Sequence, residues 1–287
     1  MKKRMTFWKG CLFAMVMFSF FLGRGAGAAD RIIAVGSPVL NRIIENGVIR
    51  VGVNPLFKPF SFIDASQKRV GIDLDIARLL ADELGVKLEI VAPDSFAKLI
   101  PMLLDDKIDI IMAGMTRNFK RAKLVNFTDA YFDTGLSILF NKVKASQLGI
   151  PSVKTYQELA QKLKQTGNEA RLEIAVTENK SPARSVPLFF PKSIIKKYPT
   201  NEKAAQAVIN GDAHIMVHDE MFLKVWLQDH KGETRYKAYV FDHPFKPDYY
   251  SFAIRKGNQE FLNMLNVFVA ELGVEDYLHT FIKNYLD

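Results

Sequence analysis

The sequence predicts an α/β fold made of two sheet domains, and three observations support this prediction. Residues 48–112 alternate short apolar runs with helical patterns, which indicates a β-α-β-α-β unit. The same alternation begins afresh after residue 142, which indicates a second sheet. In both halves a helical pattern, a turn and an apolar run end in polar residues, at 99–114 and again at 204–219. Units of this kind require mostly parallel sheets with helices on both faces.

The first half supplies its elements in a regular order. The expected elements are strands at 48–53, 87–92 and 108–112 and helices at 73–84 and 96–104. The first helix has its apolar residues on one face and stops at Gly85. In the second helix, apolar residues recur at i, i+3, i+4, i+7 and i+8 from Phe96, which is typical of a helix packed on a sheet.

The second half and the C-terminal region continue the alternation. The expected strands lie at 135–142, 172–176, 213–217, 238–241 and 248–255. The expected helices lie near 155–165, 181–190, 202–210, 219–229, 258–272 and 275–286. Short apolar runs bounded by polar turns distinguish the strands from the longer helical patterns.

The N-terminus has the features of a secretory signal peptide over residues 1–29. Basic residues precede an apolar run from Cys11 to Leu22, and Ala26-Gly27-Ala28 supplies a small-x-small cleavage pattern. The apolar run is shorter than the roughly 20 residues that a membrane-spanning helix needs, so an uncleaved anchor is the less favoured alternative. We therefore expect export through a cleavable signal peptide.

Charge and cysteine content argue against several function classes. The formal net charge of +8 falls to +3 once the leader is removed, and no block of five or more Lys or Arg appears, so we expect no nucleic-acid partner. The basic residues of the leader are Lys2, Lys3, Arg4, Lys9 and Arg24. The single cysteine, Cys11, also lies there, so the mature chain has no disulfide or thiol nucleophile. His214 and His218 have i,i+4 spacing but flank a strand-like run, and we expect neither metal nor cofactor.

Residues 113–131 are the best candidate for a binding segment by their position. A buried strand ends directly before them, and a polar turn with Gly114, Thr116 and Arg121 begins there. Open α/β sheets bind ligands at such strand ends. The flat guanidinium fork of Arg121 suits a carboxylate. The alternatives are a solvated helix arginine among lysines, and plain turn chemistry for the glycine and threonine.

A set of short segments, in order along the chain, carries a family resemblance. The segments are Lys58-Pro59-Phe60, residues 71–77 (Gly-Ile-Asp-Leu-Asp-Ile-Ala), 99–103, 107–116, Arg121, 127–131 (Phe-Thr-Asp-Ala-Tyr) and 210–219 (Asn-Gly-Asp-Ala-His-Ile-Met-Val-His-Asp). Together they closely resemble the periplasmic amino-acid-binding proteins that serve ABC importers. The resemblance extends from about residue 42 to the C-terminus, and the motifs are specific to the family and not to any ligand.

The resemblance implies a two-lobe type II periplasmic binding protein fold, in which each lobe is a mostly parallel sheet flanked by helices and two crossovers join the lobes. Lobe 1 would comprise residues 42–132 and 255–287, and lobe 2 residues 133–254. The implied hinges lie near 132–135 and 247–254, and hinge closure would trap the ligand between the lobes. The implied protein is a periplasmic monomer that binds an amino acid or a similar small polar zwitterion or carboxylate and delivers it to an ABC permease.

The resemblance also implies roles for single residues. Arg121 matches the arginine that binds the ligand α-carboxylate. Thr116 and the backbone at Gly114 match positions that hydrogen-bond the carboxylate and ammonium groups, since a hydroxyl donates and accepts and a glycine permits close approach. Asp219 matches the aspartate that pairs with the ligand ammonium, and a helix N-cap is its alternative role.

The side-chain pocket departs from the family pattern. Phe57 and Phe96 match aromatic positions that sandwich ligand side chains, although Phe96 equally suits the core. Many relatives that bind cationic amino acids carry an acid at the position of Asn54, so lysine or arginine is a weaker choice of ligand. The usual Gly-Thr-Thr turn of lobe 2 is replaced around Lys180 and Ser181. Lys180 either adds positive charge to the cleft or points into water, and Ser181 opens a helix whose N–H groups favour an anion.

Two alternatives to transport stay open at this stage. The cyclohexadienyl dehydratases share this fold and a Lys-Pro-Phe segment, and they need a general acid near the leaving hydroxyl. The resemblance would place that glutamate where this chain has residues 179–183, which contain no carboxylate, so we expect no enzyme activity. A periplasmic sensory or accessory module would need the same closing cleft, so the sequence does not separate it from a transport protein.

Overall fold

The computed structural model of the protein describes residues 36–178 and 180–286, and the expected signal peptide at 1–29 lies outside them. The helices are α1 Pro38–Asn46, α2 Ile72–Glu83, α3 Leu99–Leu104, α4 Phe119–Ala122, α5 Lys142–Ala145, α6 Tyr156–Thr166, α7 Ser181–Phe189, α8 Asn201–Asn210, α9 Glu220–Asp229, α10 Lys231–Thr234, α11 Gln259–Val274 and α12 Tyr277–Leu286. The strands are β1 Val48–Gly52, β2 Phe62–Ile63, β3 Arg69–Val70, β4 Lys87–Val91, β5 Ile110–Ile111, β6 Val125–Asn141, β7 Glu173–Thr177, β8 Ile194–Tyr198, β9 Ile215–Asp219, β10 Ala238–Val240 and β11 Lys246–Arg255. Short 3-10 turns lie at Phe96–Lys98, Ser146–Leu148 and Glu169–Arg171.

The main sheet consists of two parallel groups joined by two long antiparallel strands. Its order is β4-β1-β5-β11-β6-β9-β7-β8, and β10 also pairs with β6. β1 is parallel to β4 and β5, and β7 is parallel to β8 and β9. β11 and β6 pair antiparallel with each other, and each also borders one parallel group. The expected α/β class is confirmed. The two sheets expected from the sequence correspond to the two parallel groups, and both groups belong to a single hydrogen-bonded sheet.

β6 differs from the sequence prediction, which starts a new strand at Gly135. The strand runs without interruption from Val125 to Asn141. Gly135 lies inside this strand at a position where packing leaves no room for a side chain. A Cβ there would lie 2.5 Å from the Lys246 carbonyl oxygen and 2.7 Å from the Pro244 Cβ. The glycine therefore permits close approach of β6 to the chain that enters β11, and it marks no turn.

Alternate residues of the second parallel group are buried on opposite faces of the sheet. In β9, Ile215 and Val217 pack into a cluster with α6 and α7 residues, whereas Met216 packs into a cluster with α8 and α9 residues. Side chains in a strand point to opposite faces in turn, so a strand covered on both sides is apolar at every position. This explains the continuous apolar runs that predicted these strands.

The predicted helix at 96–104 has two parts, a 3-10 turn at Phe96–Lys98 and the α-helix α3. Leu99 and Leu103 are fully buried in the first-half core, but Leu104 is 38% exposed. The other buried members of this core are Ile108, Ile111, Ala113, Met115, Val125 and Ala253. Within the described part of the chain, no helix has the length and apolarity to cross a membrane.

Candidate functional site

An open cleft of about 710 Å³ lies where the ends of β5 and β9 approach the two long strands. All nine residues that the sequence suggested for ligand binding line it. They are Asn54, Phe57, Phe96, Gly114, Thr116, Arg121, Lys180, Ser181 and Asp219. An adjoining space of about 1180 Å³ shares Asn54, Phe57, Phe96 and Lys180 with it. The fold therefore brings together residues that are up to 165 positions apart in the sequence.

Arg121 is positioned by its own turn. Asn118 caps α4 by accepting a hydrogen bond from the Arg121 backbone N–H at 2.9 Å. The Arg121 Nη1 donates to the carbonyl oxygen of Thr116 at 2.7 Å and to its Oγ1 at 2.8 Å. Burial lowers the pKa of Arg121, and Arg184 lowers it further, while Asp248 raises it. An arginine in a protein stays protonated, so the cleft contains a fixed positive charge.

The ring of Phe96 lies against two cations. The Arg121 guanidinium carbon is 5.4 Å from the ring centroid, and the Lys180 Nζ is 5.8 Å from it. Much of the Lys180 side chain is exposed, yet desolvation at the cleft, followed by repulsion from Arg121, lowers the pKa of its ammonium group. Phe96 also packs on the first-half core, so the core role expected of it is present, and its contact with a ligand side chain stays a prediction.

Asp219 accepts four hydrogen bonds from the protein. Its Oδ1 accepts from the backbone N–H groups of Met221 at 3.0 Å and Phe222 at 3.3 Å, which makes it the N-cap of α9. Its Oδ2 accepts from the Thr134 hydroxyl at 2.6 Å and from the Tyr250 hydroxyl. Burial raises the pKa of Asp219 to about 6, against the lowering effect of these hydrogen bonds. The alternative role as N-cap is confirmed, and the contact with a ligand ammonium stays a prediction.

Gly114 and Phe57 form the floor of the cleft together. Gly114 has a φ of +53°, and a Cβ there would lie 2.6 Å from the Phe57 ring, so only glycine fits the turn. Phe57 stacks on Phe60 at 5.2 Å and meets Tyr250 edge-on at 6.1 Å. The sequence offered no packing role for Phe57, but the structure supplies one, in which Tyr250 is the partner distant in the chain.

Asn54 and Ser181 stand at the two sides of the cleft. Asn54 is only 9% exposed, and its Oδ1 accepts a hydrogen bond from the Leu56 backbone N–H at 3.2 Å. Ser181 is the first residue of α7, as the sequence predicted. Within the described ranges, no group of three or more His, Cys, Asp or Glu residues could hold a metal ion.

Several polar residues of the site were missed by sequence reasoning. The cleft is also lined by Asn201, His218, Asp248 and Tyr250. His218 is 6% exposed, its Nε2 lies 3.1 Å from the Asn201 Oδ1, and burial lowers its pKa to about 3, so it is neutral. The position of His218 directly before Asp219 at a strand end was the signal that could have found it.

A buried tyrosine and a buried aspartate form a hydrogen-bonded pair near the cleft. The Tyr131 hydroxyl donates to the Asp73 Oδ1 at 2.5 Å, and Asp73 is fully buried. Burial raises the pKa of Asp73 to about 7, while hydrogen bonds from Tyr131 and from the Gly114 backbone lower it. The pair thus links the N-terminal end of α2 to β6.

Comparisons with known proteins agree with this architecture. Residues 49–287 match the model of the bacterial extracellular solute-binding proteins, family 3. An ancestral cationic amino acid solute-binding protein of known structure is 32% identical with a TM-score of 0.70, over 86% of this chain and 99% of that one. A putative ABC transporter binding component from Wolinella succinogenes, solved with lysine, is 31% identical with a TM-score of 0.72, over 84% of this chain and 96% of that one.

An enzyme is also among the relatives. The cyclohexadienyl dehydratase of Pseudomonas aeruginosa is 29% identical over 180 residues, which are 63% of this chain and 62% of that protein, so the match spans less than two thirds of the enzyme's length. The structural likeness to the two binding proteins confirms the type II periplasmic binding protein fold. Since the family model matches most of its length, the chain belongs to the bacterial extracellular solute-binding proteins of family 3.

Proposed function

We propose that this protein binds an amino acid, or a similar small polar zwitterion or carboxylate, between two closing lobes and delivers it to an ABC permease. The observation that carries the proposal is the Arg121 guanidinium, which Thr116 holds at the cleft wall. Among the described residues Arg121 makes no ion pair within 4.0 Å, so its charge is available to an anionic ligand group. Membership of a solute-binding family also supports the binding of a small solute.

The proposed lobes are residues 42–132 with 255–287, and residues 133–254. The two parallel groups of the sheet support this division, and the chain passes between them within β6 and β11. The segments proposed as hinges are 132–135 and 247–254, and residues 132–135 pair with residues 247–250 across these strands. Contacts divided between two lobes let the ligand itself stabilise the closed form.

The proposed location is the periplasm, which the protein would reach through its signal peptide, and the proposed working form is a monomer. The family's extracellular character supports export. The leader lies outside the described residues, so N-terminal sequencing of the exported protein tests it. Cleavage after about residue 28 is expected, and a retained leader would contradict the proposal.

Ligand binding is tested by the melting temperature of the mature protein against a panel of amino acids and small carboxylates. A ligand that binds only the folded state must raise the melting temperature, by an amount that grows with its concentration. Mass spectrometry of ligand retained from the native host provides an independent identification. A panel without any response, together with protein that retains no small molecule, would refute the binding function.

A second candidate function is that of a dehydratase. The likeness to cyclohexadienyl dehydratase favours it, and so does Asp219, because a carboxyl group with a pKa of about 6 is able to donate a proton near neutral pH. Against it, both Asp219 oxygens are already occupied by protein donors, and residues 180–183 offer no carboxylate. Incubation with prephenate and arogenate decides between the functions, and we expect no turnover.

A further inference from the structure

The cleft combines two positive charges that stand on one aromatic ring. Arg121 and Lys180 both lie within 6 Å of the Phe96 ring centroid. Desolvation at the cleft lowers the pKa of Lys180, and repulsion from the Arg121 charge lowers it further. Within the described ranges neither side chain has a carboxylate within 4.0 Å. Placing two like charges side by side is unfavourable unless anions compensate them.

The acids that line the cleft are engaged elsewhere. All four acceptor positions of the Asp219 carboxylate are taken by two backbone N–H groups and two hydroxyls. Asp248 accepts from the Tyr249 backbone N–H at 2.9 Å, and its Oδ2 lies 3.6 Å from the Lys246 Nζ. Asp248 offsets part of the Arg121 charge, but neither acid faces Lys180 as an ion-pair partner.

We infer that the ligand of this cleft is a small dianion, such as an acidic amino acid or a dicarboxylate, with one carboxylate on Arg121 and the second on Lys180. This inference rests on the proposed binding function. Two of the related structures are of a cationic amino acid binder and of a lysine complex. In this chain Lys180 repels a cationic ligand side chain, and the neutral Asn54 and Asn201 offer it no compensating charge. Lys180 thereby sets the specificity.

The hydrogen bonds of Asp219 bear on whether the ligand also needs an amino group. The Asp219 carboxylate is satisfied by four protein donors, so it needs no ligand ammonium as a partner. The candidate ligands therefore share a pair of carboxylates, and they either carry an amino group or lack one. Glutamate and aspartate represent the first case, and glutarate and succinate represent the second.

The test measures dissociation constants by calorimetry on the mature protein, stripped of ligand by unfolding and refolding. The panel contains these four dianions, their neutral counterparts glutamine and asparagine, and the cations lysine and arginine. We expect at least one dianion to bind at least about tenfold tighter than any neutral or cationic compound, which is the effect of one charge-assisted hydrogen bond.

Variants of Lys180 separate its role from the net charge of the protein. Lys180→Met should weaken dianion binding at least about tenfold and so remove the preference for dianions over their amide counterparts, whereas Lys180→Arg should keep that preference. Lys164→Met, on the exposed face of α6, removes the same charge far from the cleft and should change neither affinity. Melting curves establish that each variant is folded.

Two results would overturn the inference while the binding function stands. One is a neutral or cationic amino acid that binds as tightly as the best dianion. The other is an unchanged dianion affinity in Lys180→Met. If nothing in the panel binds, and the protein from its native host retains no small molecule, the binding function itself fails and the inference fails with it.

Discussion

At the scale of single residues, Arg121 illustrates how the site is prepared before a ligand arrives. Its Nη1 is held by the backbone and hydroxyl of Thr116, and its ring neighbour Phe96 restricts the guanidinium on one face. A side chain that is already ordered loses less conformational freedom on binding, so more of the interaction contributes to affinity.

Substitution of Arg121 should therefore abolish tight binding. Removing one partner of a desolvated ion pair costs on the order of 3–5 kcal/mol, so we expect Arg121→Ala to lose at least about a hundredfold in affinity by calorimetry. Lys120→Ala on the exposed face of α4 is the matched control, with unchanged binding. An Arg121→Ala protein that binds like the wild type would exclude this residue from the ligand contacts.

Gly114 should be intolerant of even one methyl group. Gly114→Ala places a Cβ 2.6 Å from the Phe57 ring and strains a positive φ, so we expect a loss of about 2 kcal/mol or more in the free energy of unfolding, and weaker ligand binding. Gly211→Ala shares the positive φ but has no atom within 4 Å of the new Cβ. For this control, denaturant titration should show a loss of only about 1 kcal/mol in the free energy of unfolding, which is the cost of the positive φ, and calorimetry should show unchanged ligand affinity.

The buried Asp73 should make folding stability depend on pH. Its pKa is raised to about 7 in the folded state, so between about pH 4 and 7 the folded state keeps a proton that the unfolded state has released. The free energy of unfolding of the wild type minus that of Asp73→Asn should fall as the pH rises through this window, by at most about 1.4 kcal/mol per pH unit.

His218 provides a comparison of opposite sign. Its pKa is lowered to about 3, so the unfolded state binds the extra proton below about pH 6.5. The free energy of unfolding of the wild type minus that of His218→Asn should therefore rise as the pH rises from about 3 to 6.5.

For the Asp73 prediction, equal pH profiles of the free energy of unfolding in the wild type and in Asp73→Asn would show that Asp73 does not titrate between about pH 4 and 7.

At the scale of elements, the ion pair between Lys58 and Asp229 connects the loop that contains Phe57 to the C-terminal end of α9. The Lys58 Nζ lies 2.6 Å from the Asp229 Oδ2, and the two side chains are 39% and 44% exposed. The residues belong to different proposed lobes, so the pair forms only where the lobes meet. The sequence offered no role for Lys58, because its partner lies 171 residues away.

Breaking this pair should weaken ligand binding slightly without affecting folding. An exposed ion pair contributes at most about 1 kcal/mol, so Lys58→Met should raise the dissociation constant by up to about fivefold and leave the melting temperature of the ligand-free protein nearly unchanged. Lys192→Met breaks the exposed pair with Glu169 inside one proposed lobe and serves as the control. The same affinity change in both variants would argue against an effect that depends on a contact between the two proposed lobes.

At the scale of the whole molecule, β6 and β11 connect the two parallel groups of the sheet, because β11 pairs with β5 of the first group, β6 pairs with β9 of the second, and the two strands pair with each other. Motion of one group relative to the other must bend these two strands where they pair at 132–135 and 247–250. A register shift between Tyr250 and Ser251 already interrupts their ladder at this point.

The whole molecule should become more compact when ligand binds. Solution scattering of the mature protein should show a smaller radius of gyration at saturating ligand than without it, because hinge closure brings the lobes together. Arg121→Ala at the same ligand concentration should stay extended. Identical scattering curves with and without ligand in the wild type would contradict the closing mechanism.

Much of the fold follows from local patterns in the sequence. Runs buried on both faces predict β7 and β9, and the apolar face of α2 predicts that helix, since burial periodicity is a local property. β8 was missed because its sequence, Ile-Ile-Lys-Lys-Tyr, lacks that pattern at the edge of the sheet. The two-residue strands β2 and β3 are too short to give any periodic signal.

The sequence by itself determined the α/β class, the family resemblance and nine of the residues that line the cleft, because motifs and periodicity reside in short segments. Only the tertiary structure decided that Asp219 already accepts four hydrogen bonds, that β6 is one uninterrupted strand, and that Lys180 and Arg121 both lie against the Phe96 ring. These contacts join residues far apart in the chain. Their existence depends on packing and on strand pairing, which no local pattern encodes.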